Sequence, residues 1–215
     1  MAFGVTLLAR SDLGNSPISS IPYAISQLTP FTFGTTTMAF HLLCIIFQVM
    51  IWRRITLQMI LQIPLGLGFS ALIDLYMFVL AIAEPDLWLR ALLCVGGVVF
   101  TALGIVIIVS MDLMLPAPDS FLRAVSQRFN IELYKVKIAG DVTWVCTTIV
   151  ISLIFTRSIL AVGIGTLFSM YFTGKFVGIF KKHLGFLEME PTAVAWERYK
   201  AEAAAKKQEK RNITG

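Results

Sequence analysis

The chain has 215 residues, of which 57% are hydrophobic and 14% charged, with a net charge of +5 and a mean hydropathy of +0.78. Soluble domains carry about a quarter charged residues, so this composition excludes an ordinary soluble domain and implies an integral membrane protein. The basic excess lies mostly after Lys181, with no basic face interleaved with aromatics, which argues against a nucleic-acid partner.

Met1 to Asp12 reads as the first helix. At ~1.5 Å per residue its apolar part covers only about half of a ~30 Å hydrocarbon core. That helix is therefore either short or begins upstream of Met1. Pro17 to Thr29 reads as a short helix, with Ser16 as N-cap and Pro17 at the first helical position, where a missing N–H costs nothing. It is too short to span and is expected to be re-entrant. Thr35 to Trp52 and Leu57 to Ile82 follow as apolar segments, the second kinked near Pro64, and Glu84-Pro85-Asp86 reads as a loop. Leu87 to Met111 is the next span, Pro118 to Phe129 a second short helix, and Val136 to Phe155 and Ile159 to Phe180 complete the set. After Leu184 the composition turns to Ala, Glu and Lys, a charged tail over 184–215. Cys44, Cys94 and Cys146 sit in apolar segments, without metal-ligand spacing, and read as packed thiols.

The organising feature is a duplication. Ala2, Gly4, Asp12, Leu13, Ser20, Ala24, Ser26 and Gln27 each recur 100 positions later, from Ala102 to Gln127. Both copies end an apolar run with an acid and a proline, then start a short helix. Paired helix breaks of this kind point to binding sites in transporters with internal repeats. With three spans per copy, Arg53, Arg54, Arg123, Arg128, Lys135, Lys181, Lys182 and the tail share one face. Arg10, Arg90, Arg157, Glu84 and Asp86 fall on the other. The positive-inside rule then puts both termini in the cytoplasm. Three is odd, so the copies run upside down relative to each other. The expected fold is all-α and polytopic: an inverted repeat (1–83 and 87–183) in which each half has three spans and one re-entrant helix.

The residues Leu13, Gly14 and Pro17, the run Asp112-Leu113-Met114-Leu115-Pro116 with Asp119, Val136-Lys137-Ile138 with Asp141, and Gly163-Ile164-Gly165-Thr166 resemble those of the YczE/YyaS/YitT-like bacterial inner-membrane family. The resemblance covers nearly all of Gly4 to Phe180 and implies architecture and a bacterial inner-membrane location more than an activity. Ser19 stands where many members carry an acid, and Met114 where the first copy has glycine.

Ionisable groups inside apolar spans are functional candidates by default. Asp12 and Asp112 are equivalent, as are His41 and Asp141; with one insertion, Asp74 matches Lys175. The starts at Ser16-Pro17 and Ala117-Pro118 offer free N–H groups suited to an anionic or carboxylate group, with Asn15, Ser19, Ser20, Asp119 and Ser120 beside them. The expected binding set is thus Asp12, Asn15, Ser16, Ser19, Ser20, Asp112, Asp119 and Ser120, and the expected proton- or cation-coupling set is His41, Asp74, Asp141 and Lys175. Structural roles compete at each: a cap for Asp12 and Asp112, an interior hydrogen-bonded His41, and an ion pair or a snorkelling lysine for Asp74 and Lys175. No HExxH, GxSxG, Walker or metal motif occurs, so an enzyme, a cofactor and a metal are not expected. The sequence favours a secondary transporter for a small anionic or zwitterionic solute, alone, as a homo-oligomer or with a membrane partner. The alternative is a non-transporting accessory protein.

Overall fold

The computed structural model describes residues 1–81, 85–110, 115–158 and 160–183. Among them are eight α-helices and no strand: α1 (Ala2–Ser11), α2 (Pro17–Leu28), α3 (Phe33–Trp52), α4 (Leu57–Val79), α5 (Leu87–Ser110), α6 (Ala117–Phe129), α7 (Leu133–Thr156) and α8 (Ile164–His183). The expected tail, Glu84 and Asp112 lie outside the described residues. Four helices, α3, α4, α5 and α7, are long and apolar enough to cross a membrane. Their outer faces carry side chains such as Ile46, Phe78, Leu92 and Ile154 to the surface, as contact with lipid requires. Of the other two expected spans, α1 has only ten residues, about 15 Å of helix. The helix α8 has the length, at 20 residues, but not the apolar composition.

Local chemistry sets the boundaries. Ser16 is the N-cap of α2 in extended conformation with Pro17 at the first position, and Pro116 and Pro118 flank the start of α6. Thr32 caps α3 by accepting the Thr35 N–H at 3.1 Å. Left-handed residues end α1 at Asp12, α3 at Arg53, α6 at Asn130 and α7 at Arg157, each stopping the helix because the next turn cannot continue from positive φ. The expected start of the last helix is corrected from Ile159 to Ile164. Ala161, at φ 63°, breaks the helical path, and 160–163 form a loop instead.

Small residues bring α1 and α5 together. A Cβ on Gly4 would lie 2.5 Å from the Thr101 backbone nitrogen, one on Gly97 would meet Leu8, and one on Gly104 would meet Met1. Met1 faces Gly104, Gly4 faces Thr101 and Asp12 faces Arg90, so the two helices run antiparallel with their backbones close, the packing small residues permit inside a membrane. Around this pair the neighbours match when the halves are exchanged: α2 packs on α3 and α7, α6 on α7 and α3, α1 on α4 and α5 on α8. One pairing departs from the pattern. The helix α3 packs along α4, and no comparable packing joins α7 to α8.

Candidate functional site: the two helix breaks

At the first break the chain leaves α1 at Ser11, turns through Asp12 (φ 55°) and Gly14 (φ 115°), and enters α2 at Pro17. The break is held by the 160–166 segment. Asn15 N–H donates to the Ala161 carbonyl at 2.9 Å, and Gly165 N–H to the Leu13 carbonyl at 2.8 Å. Only glycine fits at the crossing: a Cβ on Gly14 would lie 2.5 Å from Thr166 Oγ1, and one on Gly163 would lie 2.3 Å from the Leu13 carbonyl. Leu13-Gly14-x-x-Pro17 and Gly163-Ile164-Gly165-Thr166, far apart in sequence, are thus two faces of one junction. Beside it lies a cavity of about 130 Å³ lined by Ala9, Asp12, Gly14, Tyr23 and residues 160–163.

Asn15 is 1% exposed, and neither side-chain amide atom has a hydrogen-bond partner among the described residues. Buried polar atoms are normally paired, so this amide is the conspicuous unsatisfied group of the break. Ser16 donates to Ser19 at 3.1 Å, while Ser20 donates to the Pro17 carbonyl at 2.7 Å and meets the Thr148 hydroxyl at 2.8 Å. Asp12 faces outward, its carboxylate bound to Arg90 at 2.9 Å with 71% side-chain exposure. It stands on the rim of the cavity.

At the second break, Asp112 lies outside the described residues. From Leu115 onward, Ser120 donates to the Leu115 carbonyl at 3.0 Å. The buried Gln48 reaches the Ala117 carbonyl from α3 at 3.2 Å and pairs with Gln62 at 3.1 Å. Positions 48 and 148 hold the first turn of the opposite half's short helix: Gln48 through Ala117, Thr148 through Ser20. His41 is 5% exposed, stacks on Phe69 at 5.7 Å, and borders a cavity of about 50 Å³ with Gln62, Gly66, Pro116 and Ala117. Each break therefore borders a cavity.

Asp119, in the first turn of α6, bonds Lys137 of α7 at 2.9 Å, and the same ammonium stands 3.6 Å from Asp141. Lys137 was read from the sequence only as part of a motif, not as a site residue. Its place one helical turn before Asp141 was the signal available. Asp74 and Lys175 are not brought together. The Asp74 carboxylate accepts the Gly34 N–H at 2.7 Å and the Thr32 hydroxyl at 2.7 Å, anchoring the start of α3. Lys175 lies over the Tyr171 ring at 4.3 Å. Asp74→Ala is expected to lower stability by about 2 kcal/mol, through two lost hydrogen bonds to a charged acceptor, as read by thermal unfolding in detergent.

Among the described residues no group of three or more His, Cys, Asp or Glu side chains could hold a metal ion. Cys44 and Cys94 are buried free thiols, and Cys146 is an exposed one. Residues 1–182 match the model of a family of unknown function, DUF6198. No curated protein and no solved structure matches the chain.

Proposed function

The chain belongs to DUF6198, a family of unknown function, and on the residues of its own site we propose that it is a secondary transporter or permease for a small polar solute, anionic or zwitterionic. The observation that carries this reading is the first helix break itself, whose irregular backbone at Asp12 to Gly14 lines a cavity of about 130 Å³, with the unpartnered Asn15 amide buried behind that lining. Irregular backbone inside a membrane is tolerated only where it is buried in protein or lines a cavity, and the first break does both. At ~30 Å³ per water, a cavity of about 130 Å³ has room for about four waters, which bounds the solute to a small metabolite. The Asp12–Arg90 pair on the rim suits a ligand that carries a carboxylate, or both charges, and can exchange partners with it.

The exchange of neighbours between halves, and the mirrored roles of Gln48 and Thr148, support an inverted repeat with three spans and one re-entrant helix in each half. On that topology the positive-inside rule favours both termini in the cytoplasm, and the family resemblance favours a bacterial inner membrane. The junction of Leu13-Gly14 with Gly163 and Gly165 joins two of the signatures on which the resemblance to YczE/YyaS/YitT-like proteins rests, and we carry that kinship as part of the proposal. With no nucleotide-binding motif in the sequence, transport would draw on a gradient or on a partner.

A thermal-shift screen of the purified chain against small metabolites, followed by flux into proteoliposomes, tests the reading. A stabilising solute should be transported, and Asn15→Ala and Asp119→Asn should each weaken its binding about tenfold or more, about 1.4 kcal/mol. A hit whose binding and flux survive unchanged in both variants would place the site elsewhere. A membrane partner that co-purifies stoichiometrically, with no solute bound or moved, would favour the accessory role.

A further inference from the structure

We propose that Asp119, Lys137 and Asp141 form a proton-binding site in which Asp141 takes the proton and Lys137 is the resident counter-ion. This inference rests on the transporter reading and names its coupling ion. Two carboxylates share one ammonium here, so the cluster carries an excess negative charge when both acids are ionised. Unbalanced charge on an apolar helix is costly, and Asp141 sits two turns into α7, one of the four helices able to span.

The two acids are not equivalent. Asp119 bonds Lys137 at 2.9 Å and lies in the first turn of α6, where the helix dipole favours negative charge. Asp141 has a side chain 16% exposed and only the 3.6 Å approach of the same ammonium. That distance is too long for a hydrogen bond, and its Oδ1 is buried without a hydrogen-bond partner. The other elements against this region supply little compensation. On α3 the titratable groups are His41 and Cys44, and on α2 only Tyr23. Among the described residues Lys137 is the cation within 4 Å of Asp119 and Asp141, and Asp119 already holds it; Arg123 and Arg128 of α6 and Lys135 of α7 are exposed.

The same geometry selects a proton over a metal cation. The position between the two carboxylates is occupied by the Lys137 ammonium, so sodium would have to expel it, whereas a proton needs only an oxygen lone pair. When a proton arrives from water on Asp141, the cluster becomes neutral and Lys137 is left wholly to Asp119. When it leaves, Lys137 is drawn toward both acids. The proton thereby changes the tie between α6, which begins at the second break, and α7, which holds the first turn of α2 through Thr148 and Ser20.

The test is carbodiimide labelling of the full chain in liposomes across pH, with the modified residue located by peptide mass spectrometry, because the reagent adds to protonated carboxyls. Labelling is expected on Asp141, falling at least tenfold as the medium is made alkaline, and absent from Asp119. In Lys137→Gln, with the ammonium gone, labelling in alkaline medium should rise at least tenfold and spread to Asp119. Labelling of Asp119 alone, of neither residue at any pH, or to an extent independent of pH would overturn the proposal. No solute takes part. Labelling as expected in a chain that moves nothing would therefore leave the proton site standing and remove the transporter reading. Solute flux with an unreactive Asp141 would do the reverse.

Discussion

Gly14→Ala is expected to unseat the first helix break and to lower stability by roughly 2–5 kcal/mol. Two costs add. At φ 115° an L side chain is strained by about 1–2 kcal/mol, and the new methyl group would overpack a closed junction, typically a further 1–3 kcal/mol. The junction has little freedom to yield. The methyl would lie 2.5 Å from Thr166 Oγ1 and 2.6 Å from the Gly163 nitrogen, a backbone atom, and those two atoms are themselves 3.2 Å apart in a hydrogen bond. Moving them breaks the Gly165-to-Leu13 and Asn15-to-Ala161 bonds, so the floor of the cavity is lost with the stability. Gly68→Ala in α4, where nothing lies within 4 Å, should be neutral or slightly stabilising. Unfolding curves of both variants in detergent decide it. Equal losses would mean that the junction contributes nothing particular.

How far that junction could be read in advance shows where sequence reasoning reaches. The break at Asp12 to Pro17 was legible because its signals are local: an acid after an apolar run, then Ser16-Pro17 in cap and first position. The short helices were legible because each begins at a proline after an apolar run and the pattern recurs at an offset of 100 residues. That offset marked Gly4 and Gly104 as equivalent, but not that α1 and α5 pack together. What the break docks against was not. Ile159 to Val162 is apolar, so periodicity carried the last helix through a stretch of which the described residues, 160–163, fold as a loop around Ala161. Nothing in one sequence says that Gly163 lies against the Leu13 carbonyl. The same limit applies to charge. Repeat equivalence paired Asp74 with Lys175, yet Asp74 bonds its own half at Thr32 and Gly34, because a carboxylate finds the open N–H groups of a nearby helix start at little cost. Lys137 escaped notice as a site residue because its match 100 positions earlier is Thr37, which bonds its own helix at the Phe33 carbonyl.

Gln48→Leu is expected to lower stability by about 2 kcal/mol, more than the same change costs when its partner is also replaced. Its side chain donates to the Gln62 amide oxygen at 3.1 Å and to the Ala117 carbonyl at 3.2 Å, and Gln62 returns a bond at 3.3 Å. Gln48 and Gln62 are only 3% and 4% exposed. Leucine at position 48 fills the space but strands the Gln62 amide, at about 1–3 kcal/mol, and removes the second bond to the Ala117 carbonyl, which keeps its helical bond from the Phe121 N–H. Inter-helix hydrogen bonds in membranes measure at the low end, about 0.6 kcal/mol on average, which keeps the expected total near 2. In the double variant Gln48→Leu with Gln62→Leu both partners become apolar, no side-chain amide is stranded, and about 1 kcal/mol of the loss should return. Thr148→Val in the other half should cost less than Gln48→Leu, because Ser20 keeps its bond to the Pro17 carbonyl. A double-mutant cycle read by unfolding in detergent measures the coupling. If the double variant lost the full sum of the two single changes, the Gln48–Gln62 pair would not be the clamp on the second break. The start of α6, with Asp119 two residues further on, would then owe its position to the packing of Phe121 against Phe47 and Trp144.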